Sequence, residues 1–470
     1  MKLLFISFFI FLLFTAAGQT TREDLSAAFT KLQADKQFAH AALSIYVLET
    51  KTGKIIFEKN AQLGMAPASC QKIITSATAF ELLGKDFRFK TVLGYDGSIS
   101  NGVLNGNLII TGYGDPSLGS DRWPQTKPGK LNDAVLSALQ KAGINKVNGT
   151  VLVDDLRFGL QPMPDGWIWQ DMGNYFGAGA RGFNWNENQY DVFLKSGATV
   201  GSATAVAETR PTGFQAQLIN LVTAAEKGSG DNAYLYAAPY SENIFSMGTI
   251  PAGENSFRIS GAMPDAGNIF AMELAQFLVS KNRMNVSSAK SFSKLLMSKQ
   301  PLPKTVTSFD TIASPPLDSV NYWFLKKSVN LFGEAFVRAI SFEKGKAGNI
   351  DAGISLIRDF WSGRGVEGSA LKIIDGSGLS PANRLTAHSL VTVLQFTKTK
   401  NWFGSFYNAL PEMNGMKMKD GYINGVRSYT GYVKSKNGVE YSFAFIVNNF
   451  DGSAGTVREK MWRVLDLLKK

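Results

Sequence analysis

The stretch that most limits what this chain can fold into is Pro67-Ala68-Ser69-Cys70-Gln71-Lys72, which runs directly into an apolar segment from Ile73 to Leu83 and stops at Gly84. The pattern predicts a helix beginning near Ser69. Serine suits an N-cap or first-turn position, Pro67 favours an extended approach to it, and Gly84 suits the C-terminal cap. Side chains three apart share a helix face, so Ser69 and Lys72 come within reach of each other while Ile73, Ala77 and Phe80 turn to the core. A hydroxyl held beside an amine is a pair that can make a nucleophile. Ser-x-x-Lys is a weak pattern by itself, and it recurs at Ser287 to Lys290 and at Ser291 to Lys294. What sets Ser69 apart is the apolar helix behind it and two further patterns downstream.

The flanking regions predict one α/β layer. Thr21 to Ala34 carries Leu25, Ala28, Phe29 and Leu32 at helical spacing; Ala41 to Glu49 and Lys54 to Glu58 read as strands around a Lys51-Thr52-Gly53 turn. At the other end, Lys419 to Ile423, Val426 to Lys434 and Val439 to Val447 read as strands, followed by a helix from Thr456. Between them the texture is different. Short strands with Asp-Gly, Asn-Gly and Gly-Asp turns run from Phe87 to Val153, with helices at Leu131 to Ala142, Phe214 to Glu226 and Ala271 to Lys281. An aromatic loop, Gly166 to Ala178, suggests a cleft wall or a packing surface between small domains. Pro301 to Pro316 reads as a linker, and a helical region follows from Tyr322 to Ala339, interrupted by polar Ser328-Val329-Asn330.

The first residues, Met1-Lys2, then apolar Leu3 to Phe14, then Thr15-Ala16-Ala17-Gly18, have the form of a secretory signal peptide over 1–18. The expectation is a periplasmic or otherwise exported protein, with no cysteine at the cleavage point for a lipid anchor. Cys70 is the sole cysteine, which excludes an internal disulfide and a thiolate-rich metal site. It reads as a packed helix residue, with a nucleophilic role as the alternative. Two histidines, His40 and His388, are too few for a multi-imidazole zinc site and sit in no motif that suggests a Ser-His-Asp hydrolase. A lysine-assisted serine fits better. The net charge of +11 is spread without a dense basic run, which argues against nucleic acid. It suits either diffuse solubilising charge or peripheral association with an anionic envelope polymer or membrane surface.

Taken in order, Ser69-x-x-Lys72, Ser328-x-Asn330 and Lys419-x-Gly421 resemble the three active-site motifs of penicillin-recognising serine enzymes. The stretches Gly114-Asp115-Pro116-Ser117-Leu118, Val153-Asp154-Asp155-Leu156-Arg157-Phe158, Asn184-Trp185-Asn186 and Asp375-Gly376-Ser377-Gly378-Leu379-Ser380 are similar to those of class C low-molecular-mass penicillin-binding proteins, the D-alanyl-D-alanine carboxypeptidase/endopeptidase family. The long interval from position 69 to position 328 suits that family, in which extra domains are inserted there. The resemblance implies an α/β fold, a transpeptidase-like domain of antiparallel sheet with helices on both sides, over 19–88 and 305–470. It implies large, mostly-β inserted domains over 89–304. It implies a serine D,D-peptidase acting on peptidoglycan stem peptides, with β-lactams as inhibitors and neither cofactor nor metal. A β-lactamase and a weakly active peptidoglycan-binding relative are the alternatives.

The roles implied by the resemblance follow residue by residue. Ser69 attacks the carbonyl of a D-Ala-D-X peptide and Lys72 takes its proton; moving a lysine from about 10.4 to near 7 needs roughly 4 to 5 kcal/mol, which burial and the nearby Lys419 ammonium supply. Ser328 relays a proton to the leaving amine, Asn330 orients Lys72 and the substrate amide, and the backbone N–H groups of Ser69 and Tyr422 form the oxyanion hole. Asp171 aligns with an acidic residue that contacts the side-chain amine of a diaminopimelate-type stem, or else caps its loop. Lys419-Asp420-Gly421-Tyr422 departs from the family, which usually has Thr or Ser in the middle. An ionised Asp420 aimed at the substrate carboxylate from about 4 Å would cost around 4 kcal/mol at an effective dielectric near 20. The alternatives are that Asp420 points away, pairs with a cation, or meets a different substrate terminus.

Overall fold

The computed structural model describes residues 20–212, 218–285 and 288–470. The segment 1–18 lies outside them, as does the start of the helix expected from Phe214. Packing divides the described residues into two units, one comprising those of 20–82 with 321–328 and 354–470, the other those of 83–320 with 329–353. This is not the same division as the 89–304 segment read from the sequence.

The first unit is built on a six-stranded antiparallel sheet in the order Ile55–Lys59, Ala42–Glu49, Glu440–Asn448, Val426–Lys434, Met416–Ile423, Glu412–Met413. The first and last parts of the chain meet in it, Ala42 opposite Asn448 and Glu49 opposite Tyr441. Residues 43–48 and 441–447 are buried throughout rather than alternately, as expected of strands covered on both faces. On one face the 20–33 helix places Leu25, Phe29 and Leu32 with Val457, Met461 and Leu465 of the Ala454–Leu465 helix against Val47, Phe443 and Phe445. Each such side chain contributes about 1.5 to 3 kcal/mol on burial. The helices Lys72–Leu82 and Ala387–Lys398 belong to the other side, the latter packing on Ala42–Glu49 and Glu440–Asn448.

In the second unit a five-stranded mixed sheet runs Ala289–Ser291, Val151–Asp154, Leu108–Gly112, Lys90–Tyr95, Thr307–Ala313. The helices Pro128–Lys141 and Ala266–Ser280 share its core through Leu131, Val135, Phe270 and Leu274. Two three-stranded sheets, one centred on Gln189–Ser196 and one on Val103–Asn105, and a four-stranded one centred on Ile244–Pro251 complete the β-rich unit among the described residues.

Four local expectations are corrected. The Pro301 to Pro316 linker contains the edge strand Thr307–Ala313, because pairing with Lys90–Tyr95 satisfies its backbone. The described part of Phe214 to Glu226 forms strands, Leu218–Asn220 and Thr223–Ala225, pairing in parallel with Ile244–Pro251. The helical region after Tyr322 is two helices, Leu317–Lys326 and Asn330–Glu343, broken at Ser328 with φ +57°. Pro67 is αR rather than extended, and Ser69 lies in a 3₁₀ turn, Ala68–Gln71, that leads into the helix.

Candidate active site

The 3₁₀ turn places Ser69 half-buried at the head of the apolar helix, one turn before Lys72. Lys72 is completely buried, and its Nζ donates to Ser69 Oγ at 2.9 Å and to the Ser377 carbonyl at 2.7 Å. The Phe324 ring lies 5.7 Å from the same nitrogen. The expected proximity of hydroxyl and amine is therefore present, with two partners that local spacing does not reveal.

The loop 375–380 is what holds Lys72 from above. Buried Asp375 accepts from the backbone N–H of Gly378 at 2.7 Å and of Ser380 at 2.6 Å, from Asn383 Nδ2 at 3.0 Å and from Gln71 Nε2 at 3.0 Å. Thr75 Oγ1 donates to the Gly376 carbonyl at 2.7 Å. One carboxylate thus shapes the loop and ties it to the turn that carries Ser69, while Thr75 ties it to the helix that begins at Lys72. The glycine-rich sequence signals the turn; its reach to a helix some 300 positions earlier is visible only in the fold.

The strand Met416–Ile423 packs directly on the Ser69 turn. A Cβ at Gly421 would lie 2.6 Å from the Pro67 carbonyl oxygen and closer still to Ser428 Oγ, so only glycine lets the backbones meet. Ser428 Oγ donates to that same carbonyl at 2.5 Å, and the Cys70 thiol donates to the Lys419 carbonyl at 3.2 Å. Burial pushes the Cys70 thiol up to about 12, which makes it a packing group and an inert one. Two non-glycine residues, Ala68 beside Ser69 at φ +46° and Ser328 itself at φ +57°, sit in the left-handed region, where each costs of order 1 to 3 kcal/mol.

Lys419 is 1 % exposed, and its Nζ donates to Asp420 Oδ1 at 2.9 Å and to the Asp420 carbonyl at 2.7 Å. Arg427 approaches the other carboxylate oxygen at 4.0 Å. Burial raises the Asp420 carboxyl, but the charge and hydrogen bond of Lys419 and the charge of Arg427 outweigh it, and the group is held below its ordinary value. Of the readings open for Asp420, pairing with a cation is the one found. Tyr422 is exposed, with the Arg427 guanidinium 5.5 Å from its ring. No sequence pattern pointed to Arg427.

Ser69, Lys72, Ser328, Lys419, Asp420, Gly421 and Tyr422 fall in the first unit, whereas Asn330 and Asp171 group with the second. Asn330 Nδ2 donates to the Phe176 carbonyl at 2.8 Å. Asp171 lies in the short helix Trp169–Met172, half-buried, with its carboxyl pushed up to about 6 by burial and no hydrogen bond to that carboxyl among the described residues.

An antiparallel sheet clad by helices, with a serine and a buried lysine hydrogen-bonded at the head of one of them, defines the penicillin-recognising, transpeptidase-like α/β class. The chain belongs to the D-Ala-D-Ala carboxypeptidase 3 (S13) family, whose model matches residues 25–467. It is 25% identical over 469 residues to a D-alanyl-D-alanine carboxypeptidase of Actinomadura sp. (strain R39), covering 92% of this chain and 82% of that protein. It is 24% identical over 431 residues to the D-alanyl-D-alanine carboxypeptidase DacB of Haemophilus influenzae, covering 87% and 85%. The fold is similar to the crystal structure of penicillin binding protein 4 from Haemophilus influenzae, with a TM-score of 0.77, 21% identity, and 95% of this chain and 99% of that chain covered.

Proposed function

We propose that this protein is an exported serine D,D-peptidase that hydrolyses D-Ala-D-X bonds of peptidoglycan stem peptides through an acyl-enzyme on Ser69, and that penicillins acylate the same hydroxyl. The observation that carries the reading is the 2.9 Å bond between Ser69 Oγ and the wholly buried Lys72 Nζ. The amine form of Lys72 keeps an N–H for the Ser377 carbonyl and turns its lone pair to the Ser69 proton. As Ser69 attacks, the carbonyl oxygen gains charge and is met by the N–H groups of Ser69 and Tyr422. Ser328 passes the proton to the departing amine, Asn330 orients the substrate amide, and water then releases the acyl group. Beyond Met418, no strand among the described residues pairs with the outer flank of Met416–Ile423, so a peptide can add along it by strand pairing. Asp171, whose carboxyl lacks a hydrogen bond of its own among the described residues, is suited to an amine on the stem peptide.

The pairing of Lys419 with Asp420 favours one second reading, a wall-binding relative that acylates slowly, because part of the Lys419 charge is spent on its neighbour. Labelling the mature protein with a fluorescent penicillin, followed by intact-mass analysis, separates the two. A stable adduct on the wild type that is absent in Ser69→Ala, with labelling slowed about a thousandfold or more in Lys72→Ala, supports the peptidase. An adduct that forms no faster on the wild type than on Lys72→Ala, or none at all, gives the wall-binding reading. Muropeptide digestion then assigns carboxypeptidase and endopeptidase activity, and the mass of the exported form tests removal of residues 1–18.

A further inference from the structure

Asp420 stands where the family's third motif usually carries a hydroxyl, and the geometry around it shows what offsets the change. The side chains of Lys419 and Asp420 leave opposite faces of their strand. Its inner flank is filled by the ladder to Val426–Lys434. Their charged ends nevertheless meet at 2.9 Å, so they meet round the unpaired outer flank. Asp420 neutralises Lys419 there. Arg427, opposite Tyr422 in the register, brings a second cation to the far carboxylate oxygen at 4.0 Å, and the three side chains together present one net positive charge, as a lone motif lysine would.

Arg427 is also built to bind. Its Nε donates to Tyr429 Oη at 3.0 Å, the Tyr422 ring flanks it at 5.5 Å, and its side chain is 14 % exposed. Neither terminal NH₂ group makes a hydrogen bond among the described residues. A planar fork held at its root with its tips open matches a carboxylate. The terminal carboxylate of a D-Ala-D-X peptide lies one residue beyond the scissile carbonyl, about 3.6 Å along the chain, and Arg427 is the register partner of Tyr422, the residue whose N–H that carbonyl would meet.

We infer that Arg427 receives the C-terminal carboxylate of the substrate, with Asp420 as the positioning residue that holds its guanidinium, the two together replacing the missing hydroxyl. The inference rests on the D,D-peptidase reading and concerns the specificity of that site.

The test compares kcat/KM for a peptide ending in D-Ala-D-Ala with that for the same peptide carrying a C-terminal amide, in the mature wild type, Arg427→Gln, Arg427→Lys, Asp420→Thr and the Asp420→Thr/Arg427→Gln double variant. Arg427→Gln is expected to lower turnover of the free acid roughly ten- to a hundredfold while the amide changes little, and Arg427→Lys to recover it in part. The double variant is expected to regain selectivity, since a threonine hydroxyl beside an unneutralised Lys419 restores the usual motif. Equal losses on both substrates in Arg427→Gln, or Asp420→Thr and Arg427→Gln effects that simply multiply, would overturn the inference. If the wild type is acylated by penicillin and the acid-to-amide ratio does not respond to Arg427, the inference fails alone; if the wild type is not acylated, the peptidase reading falls and the inference with it.

Discussion

At the scale of single residues, position 70 tests which group beside the helix is reactive. Cys70 adjoins Ser69 in sequence and is fully buried, and its thiol is pushed to about 12. The native protein is expected to resist alkylation by iodoacetamide at pH 8 while the denatured chain reacts at once, and Cys70→Ala is expected to keep penicillin labelling within a fewfold of wild type. Rapid native alkylation that blocks labelling would make Cys70 part of the chemistry. At Ser328 and Ala68 the backbone is set from outside the residue, because a non-glycine φ above zero is held only where surrounding structure requires it. Neither could be read from residue type, since Ser and Ala ordinarily avoid that region.

Among the elements, the loop 375–380 decides whether the Ser69–Lys72 pair has its geometry. Replacing Asp375 by alanine removes a buried acceptor from two backbone N–H groups and two side-chain amides at once. The expected outcome is a loss of about 2 to 4 kcal/mol in denaturant unfolding, with penicillin acylation slowed tenfold or more because the Ser377 carbonyl no longer holds Lys72. Asp375→Asn, which keeps one accepting oxygen, is expected to fall between. Unchanged acylation in a folded Asp375→Ala protein would show that Lys72 is held by other contacts. The aromatic side of the same helix is similarly tied, with Trp361 Nε1 donating to Thr78 Oγ1 at 2.8 Å and Phe80 stacked on Trp402 at 4.9 Å.

Over the whole molecule, buried carboxyls set the pH dependence of stability. Burial raises Asp115 to about 6 from 3.8, and burial together with the neighbouring Asp265 raises Asp155 likewise. A group whose folded value lies above its unfolded one favours the folded state when protonated. Its contribution is therefore complete below about pH 4 and is lost as pH rises through 6, by roughly 2 to 3 kcal/mol per group. Asp420, held low by Lys419 and Arg427 despite its burial, acts in the opposite sense, its contribution being lost as the solution becomes acidic. Asp115→Asn is expected to remove one raised group and flatten the fall of melting temperature between about pH 4.5 and 7, measured by calorimetry; a profile parallel to wild type would show that Asp115 does not titrate in that range.

The sequence by itself determined whatever depends on short range. Helical spacing put Ser69 and Lys72 on one face and Leu25, Phe29 and Leu32 on another, and apolar strands bounded by turns marked both halves of the main sheet. The ordered motifs carried the family. Only the tertiary structure decided that Ala42–Glu49 lies beside Glu440–Asn448, that Thr307–Ala313 is a strand, and that Leu218–Asn220 and Thr223–Ala225 are not helical. In each case a partner distant in the chain satisfies backbone groups that local propensity leaves open. The same holds at the site. Nothing local brings Ser377 to Lys72 or Arg427 to Asp420, because the distances that set a charge or orient an amine belong to side chains from separate elements, and those distances exist only once the sheet and its helices have packed.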